Sequence, residues 1–183
     1  GSYTVAANQA CSYGQANAVP PICFGDNNGQ IVISSVFGTK PFAYSLEFYD
    51  TTTTSWNLVG SPISNIQDTF YTFTGLSSGQ YRYTVIDSNG CGGLNPIIYH
   101  IQDPTEIERY NYIITAASDS TTCDGEIVFQ IVGGVAPITH SWTGPTSISP
   151  NALSPITNLC AGTYIDSIVD SAGCTETFSP SQV

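Results

Sequence analysis

Asp124-Gly125-Glu126-Ile127-Val128, followed by Gly134-Val135-Ala136-Pro137 and Ser141, repeats an earlier stretch of the same chain. The earlier copy reads Asn28-Gly29-Gln30-Ile31-Val32, then Gly38-Thr39-Lys40-Pro41 and Ser45, at a constant offset of 96 (125 − 29, 141 − 45). A second block, Leu76-x-x-Gly79-x-Tyr81 through Asp87-Ser88-Asn89-Gly90-Cys91, returns as Leu159-x-x-Gly162-x-Tyr164 through Asp170-Ser171-Ala172-Gly173-Cys174. Here the offset is 83 (159 − 76, 174 − 91). Two constant offsets differing by 13 (96 − 83) mean two homologous modules, the second with a shorter middle loop. Such repetition fixes the architecture and moves the functional expectation from catalysis towards display.

Working outward from the repeats, β-branched and aromatic runs dominate: Ile31-Val32-Ile33, Ala43 to Tyr49, Thr69 to Thr74, Tyr81 to Ile86 and Pro96 to Ile101. The second copy gives Glu126 to Val132, Ile138 to Trp142, Thr163 to Val169 and Thr175 to Phe178. Clusters of Gly, Pro, Asn, Asp and Ser separate them, and no window carries a helical apolar stripe. Short strands at this spacing predict an all-β chain of two tandem immunoglobulin-like antiparallel β-sandwich domains, end to end. The Asp-x-x-Gly turns read as hairpins joining the last two strands of each module. The Leu-x-x-Gly-x-Tyr element before each turn has the form of a tyrosine corner, which makes Tyr81 and Tyr164 structural.

The boundary falls near Gln102-Asp103-Pro104-Thr105, because proline cannot donate to a ladder and extends the residue before it. The expected domains are 1–103, with an N-terminal extension and a long Ser/Thr-rich insert from Thr51 to Ile66, and 104–183. The first 20 residues match nothing in the second copy and read as an extra edge strand or the tail of a preceding module. Gly1-Ser2 reads as an excision scar, so the chain is expected to be a piece of something longer.

Composition narrows function. Lys40, Arg82 and Arg109 are the only basic residues, and 14 carboxylates leave a formal charge of −11. Nucleic acid and anionic membrane surfaces are therefore poor partners, since both are held by clustered Lys and Arg. Charged residues make up 9% of the chain, against about 25% in ordinary globular proteins. Apolar content of 41% with 11% aromatics is nevertheless enough to build cores. No apolar run is long enough to span a bilayer, so membrane insertion is not expected. The six cysteines, with no Cys-x-x-Cys and only the isolated His100 and His140, favour disulfides in an oxidising compartment over a zinc site.

The same residues resemble the SprB-type repeat of Bacteroidetes gliding-motility adhesins. The resemblance is carried by Cys23-x-Gly25-x-x-Asn28-Gly29-x-Ile31 and Gly38-x-x-Pro41-Phe42-x-Tyr44-Ser45. It is carried again by Asp124-Gly125-x-Ile127, Gly133-Gly134-x-x-Pro137-x-x-x-Ser141-Trp142, Asn158-Leu159-Cys160-Ala161-Gly162-Thr163-Tyr164 and Asp170-x-x-Gly173-Cys174-Thr175. It implies immunoglobulin-like or PKD-like sandwiches in tandem arrays of long, secreted, cell-surface proteins. On that reading the chain is a non-catalytic stalk, spacer or adhesive surface. Its partners are neighbouring repeats of the same polypeptide and, on the adhesive reading, surface glycans or other cells. The alternatives are a glycan-binding accessory module of a secreted enzyme or a structural module of another extracellular appendage.

Cys23 is expected to bond Cys91, on the view that the start of the second strand and the last hairpin share one end of the sandwich. Cys123 is expected to bond Cys160, as variants of the resembled family do, or Cys174. Cys11 and the remaining cysteine are left unassigned, because six cysteines allow 15 connectivities. No enzyme is expected: there is no Gly-x-Ser-x-Gly elbow and no phosphate-cradling loop. Trp56 and Tyr49, beside the insert, are candidate ligand contacts. Trp142 aligns with Leu46 and is expected in a core, as are Phe48 and Phe70. No cofactor is expected, with calcium at Asp103, Glu106 and Glu108 near the boundary as the one metal candidate.

Overall fold

The computed structural model describes residues 11–95, 97–178 and 181–183. Gly1-Ser2 and Pro96, the start of one expected strand, lie outside the described residues. The described chain forms two units, one of the residues up to Pro21 with Gly25–Asp103, the other of Ile22–Phe24 with Pro104–Val183.

The first module contains β1 (Gly14–Val19), β2 (Gly29–Ser35), β3 (Phe42–Asp50), β4 (Ser55–Leu58), β5 (Ile63–Ile66), β6 (Phe70–Leu76), β7 (Gly79–Ile86), β8 (Gly92–Leu94) and β9 (Tyr99–Ile101). One sheet runs β1-β2-β6; the other runs β4-β3-β7-β8, with β5 also on β3 and β9 also on β7. All these pairs are antiparallel. Side chains alternate across each strand, so every second residue of β2, β3 and β7 points between the sheets. Ile31, Ile33, Tyr44, Leu46, Tyr81, Tyr83 and Val85 fill that space, with Phe73 and Leu76 from β6. Burying each such side chain contributes roughly 1.5–3 kcal/mol.

The second module contains β10 (Glu108–Thr115), β11 (Gly125–Val132), β12 (Thr139–Thr143), β13 (Ile156–Leu159), β14 (Thr163–Val169), β15 (Thr175–Thr177) and β16 (Ser181–Gln182). Its sheets are β10-β11-β13 and β12-β14-β15, with β16 also on β14. Ile127, Phe129, Ile156, Leu159, Tyr164 and Val183 form its main core. In both modules the first two strands share a sheet with the strand that precedes the tyrosine corner (β6, β13), and the third shares the other sheet with the strand that follows it (β7, β14). That strand order is the immunoglobulin-like sandwich.

Several expectations change. The N-terminal stretch contains β1, which pairs with β2 as β10 pairs with β11, so it is the ordinary first strand rather than an addition. The Thr51–Ile66 insert is more than a loop: it supplies β4 and β5, which extend the sheet along β3. In the second module that edge of β12 is met by a loop residue instead. Asn151 Oδ1 accepts the His140 N–H at 2.9 Å, and the Asn151 N–H donates to the His140 carbonyl at 3.3 Å. Phe70, expected in the core, is 53% exposed.

The expected Cys23–Cys91 bridge is not formed. Gly29, at the start of β2, pairs with Leu76 at the end of β6, so the chain before β2 lies at the β6–β7 corner. Cys91 follows the β7 turn, at the opposite end of the sandwich. Residues preceding β1 reach that end, where the Val36 N–H donates to the Tyr13 carbonyl at 3.0 Å. Cys11 accordingly bonds Cys91. In the second module the same geometry sets Gly125 against Leu159, and Cys123 bonds Cys160. Cys23 bonds Cys174, both within the second unit, whose Ile22–Phe24 segment precedes β2 along the chain.

Candidate functional site

Residues shared by the two copies converge in space. The turn after β7 opens with Asp87, whose Oδ1 accepts the N–H groups of Asn89 (3.0 Å) and Cys91 (2.9 Å). Its Oδ2 accepts the Thr39 N–H at 3.0 Å, tying the hairpin to the Gly-x-x-Pro loop. Asp170 repeats the set in the second module, with Ala172 (2.9 Å) and Cys174 (2.8 Å) on Oδ1 and Val135 (2.8 Å) on Oδ2. Donors aimed at an ionised carboxylate stabilise its charge. The Thr39 N–H, ahead of the others, holds Asp87 below the usual carboxylate range, and the Val135 N–H does the same for Asp170.

At the other end of each module the tyrosine corners close. Tyr81 Oη donates to the Ser77 carbonyl at 2.8 Å, and Tyr164 Oη to the Cys160 carbonyl at 3.0 Å. Both rings are buried, so these side chains hold structure rather than meet ligand.

The outer face of the larger sheet in the first module is different. Tyr44 and Leu46 point inward, and alternation turns Glu47 and Tyr49 outward. Register sets Tyr49 opposite Trp56 on β4 and Glu47 opposite Arg82 on β7. The Tyr49 and Trp56 rings lie 5.1 Å apart at 54°, and the Arg82 guanidinium sits 4.5 Å over the Trp56 ring. Arg82 Nε donates to Glu47 Oε2 at 2.7 Å. Sequence reasoning named Tyr49 and Trp56 but missed Arg82 and Glu47. Their signal lay in strand register, which turns all four to one face.

Trp142 packs against the second core, 5.6 Å from Phe129. Its neighbours His140 and Asp166 form a buried pair, with Nδ1 2.9 Å from Oδ2 and side chains 8% and 0% exposed. Burial holds the Asp166 carboxyl above the usual range, with His140 opposing. By the repeat offsets these two residues replace Tyr44 and Tyr83 (140 − 96, 166 − 83), both core rings of the first module. The pair therefore occupies a sandwich interior. Arg109 packs over Tyr112 and Phe178 at 3.5 and 4.7 Å.

Of the calcium candidates, Asp103 accepts a hydrogen bond from Ser78 Oγ at 2.7 Å, and Glu106 and Glu108 are exposed. Among the described residues no three His, Cys, Asp or Glu side chains gather to hold a metal ion. No helix among them is long and apolar enough to cross a membrane.

Comparison with curated proteins gives no match. Among solved structures, a segment of two fibronectin type III domains from chicken tenascin is similar at 10% identity and a TM-score of 0.34. That alignment covers 95% of this chain and 98% of that one. The sandwich assignment stands on strand order rather than on this likeness. A family model described as SprB repeat matches residues 15–47, from β1 into β3. The match covers β2, most of β1 and part of β3 in the first module.

Proposed function

We propose that these two modules are structural repeats of a larger extracellular protein of the SprB adhesin type, serving as stalk or contact surface without catalysis. The observation that carries the reading is that the residues shared by the two copies contact one another. Asp87 meets Thr39, Asp170 meets Val135, and Gly29 and Gly125 pair with Leu76 and Leu159. Repetition has thus preserved scaffold, as expected of modules multiplied for length or display. Three disulfides leave no free cysteine among the described residues, which supports an oxidising, extracellular compartment. Among the described residues the one His–Asp pair is buried in a core, which supports the non-catalytic assignment. The adhesive role and its link to gliding rest on the resemblance to SprB repeats.

The test is labelling of intact source cells with an antibody raised against this chain. Surface labelling without permeabilisation is expected, and its loss after brief protease treatment of whole cells. Labelling that requires permeabilisation would contradict the proposal.

A further inference from the structure

Large aromatic side chains on the solvent face of a sheet are not explained by core packing. Tyr49 and Trp56, both half-buried, occupy such a face at 54° to one another, with the Arg82 guanidinium over one face of Trp56 and its partner Glu47 alongside. Arg82 and Glu47 retain 29% and 23% of their side-chain exposure, so polar groups remain open next to the rings. The arrangement belongs to the first module alone. Applying the repeat offsets, the second has Thr143 for Glu47 (47 + 96), Pro145 for Tyr49 (49 + 96) and Ile165 for Arg82 (82 + 83), and it lacks the strand that carries Trp56.

We infer that this face binds a neutral polysaccharide chain, with Trp56 and Tyr49 as stacking rings and Arg82 and Glu47 as hydrogen-bonding groups. A pyranose presents a C–H face and a rim of hydroxyls, so it needs an apolar ring with donors and acceptors at its edge. The four side chains supply both. Charge selects against an acidic ligand: the chain carries −11, and the Arg82 charge is already matched by Glu47. A stable protein partner would cover about 800 Å² on each side. The surface beside the rings is the exposed, hydroxyl-bearing run Thr51–Thr54, which offers such a partner little apolar area. The inference is separate from the structural-repeat reading: the Tyr49–Trp56 pair under Arg82 also steadies the β3–β4 pairing, so an absence of binding would leave that reading standing.

Native electrophoresis of the whole chain through gels containing xylan, galactomannan, mixed-linkage β-glucan or dextran tests it. Retardation is expected in at least one gel. Trp56→Ala and Tyr49→Ala should each weaken it about tenfold, the scale of one aromatic contact. Trp56→Phe keeps an aromatic in β4 and should weaken binding by less, which guards against a folding defect in the alanine variant. Trp142→Phe, in the other module, should bind as the parent does. Fluorescence of that variant, whose remaining tryptophan is Trp56, should respond to the same polysaccharide. No retardation in any of these gels, or retardation unchanged by all three platform substitutions, would overturn the inference.

Discussion

The Asp170 carboxylate accepts the backbone N–H of Val135 at 2.8 Å, which ties the last hairpin of the second module to its Gly-x-x-Pro loop. Asp87 does the same for Thr39 in the first module at 3.0 Å. Two sequence blocks, far apart in the chain and repeated at different offsets, are thus one structural unit in each module. Replacing either aspartate with alanine leaves three backbone donors without their acceptor. Asp170→Ala and Asp87→Ala should lower the melting temperature and speed amide exchange at Val135 and Thr39, respectively. Unchanged exchange at those amides would show that the carboxylates do not hold the loops.

Acid should unfold the chain through its capped aspartates. A carboxyl held below its unfolded value contributes stability above that value and loses it as the pH falls through the folded pKa. Asp50, Asp87, Asp119, Asp124 and Asp170 are all held low, Asp119 to about 2 by Thr121 and Thr122. Their contribution should persist from neutral pH to about 4 and fade below it. Asp166 has the opposite sign: its raised pKa gives stability that is lost as the pH rises through it. Thermal melts from pH 7 to pH 2 should show a falling acid limb, shallower in Asp119→Asn. A flat limb in the parent would count against the capping account.

The tyrosine corners offer a cleaner energy. Tyr164→Phe and Tyr81→Phe remove one hydroxyl each and keep the ring. Each should cost about 1 kcal/mol of its module's stability. Tyr164 is expected to cost more, because its hydroxyl also lies 2.8 Å from Thr146 Oγ1 and accepts the Thr146 N–H at 3.2 Å. Urea denaturation measures the difference, and two neutral substitutions would remove the corners from the stability account.

Gly29 and Gly125 begin the repeated block for a steric reason. A Cβ at Gly29 would stand 2.8 Å from the Leu76 carbonyl oxygen, and one at Gly125 2.9 Å from that of Leu159. Gly29→Ala and Gly125→Ala should therefore each destabilise by about 1–3 kcal/mol, measured by urea denaturation. Neutral alanine variants would mean that the strands separate at no cost.

The strands with alternating β-branched and aromatic residues were legible, as were both hairpins and corners, because local chemistry specifies them. The edge strand β4 was not. Its approach, Thr51 to Ser55, is all hydroxyl, and the strand is defined by pairing with β3 rather than by its own pattern. β1 was legible only as an extra edge strand or a preceding tail, for a related reason: an edge strand with one buried sheet face needs few apolar residues, and Gly14–Val19 shares no residues with β10 that an alignment could find. Asp166 was hidden because a carboxylate in a strand reads as solvent-facing. Only its alignment with Tyr83 marks it as a core position. The Cys23–Cys91 expectation failed on topology: the start of β2 lies at the β6–β7 corner, and the last hairpin lies at the opposite end.

The disulfide map of the protein recovered from its native location tests most directly the claim of stapled, extracellular sandwich modules. Digestion without reduction, followed by mass spectrometry, should return Cys11–Cys91, Cys23–Cys174 and Cys123–Cys160, with no thiol open to alkylation. A Cys23–Cys91 peptide would contradict the topology, and free thiols throughout would contradict the compartment.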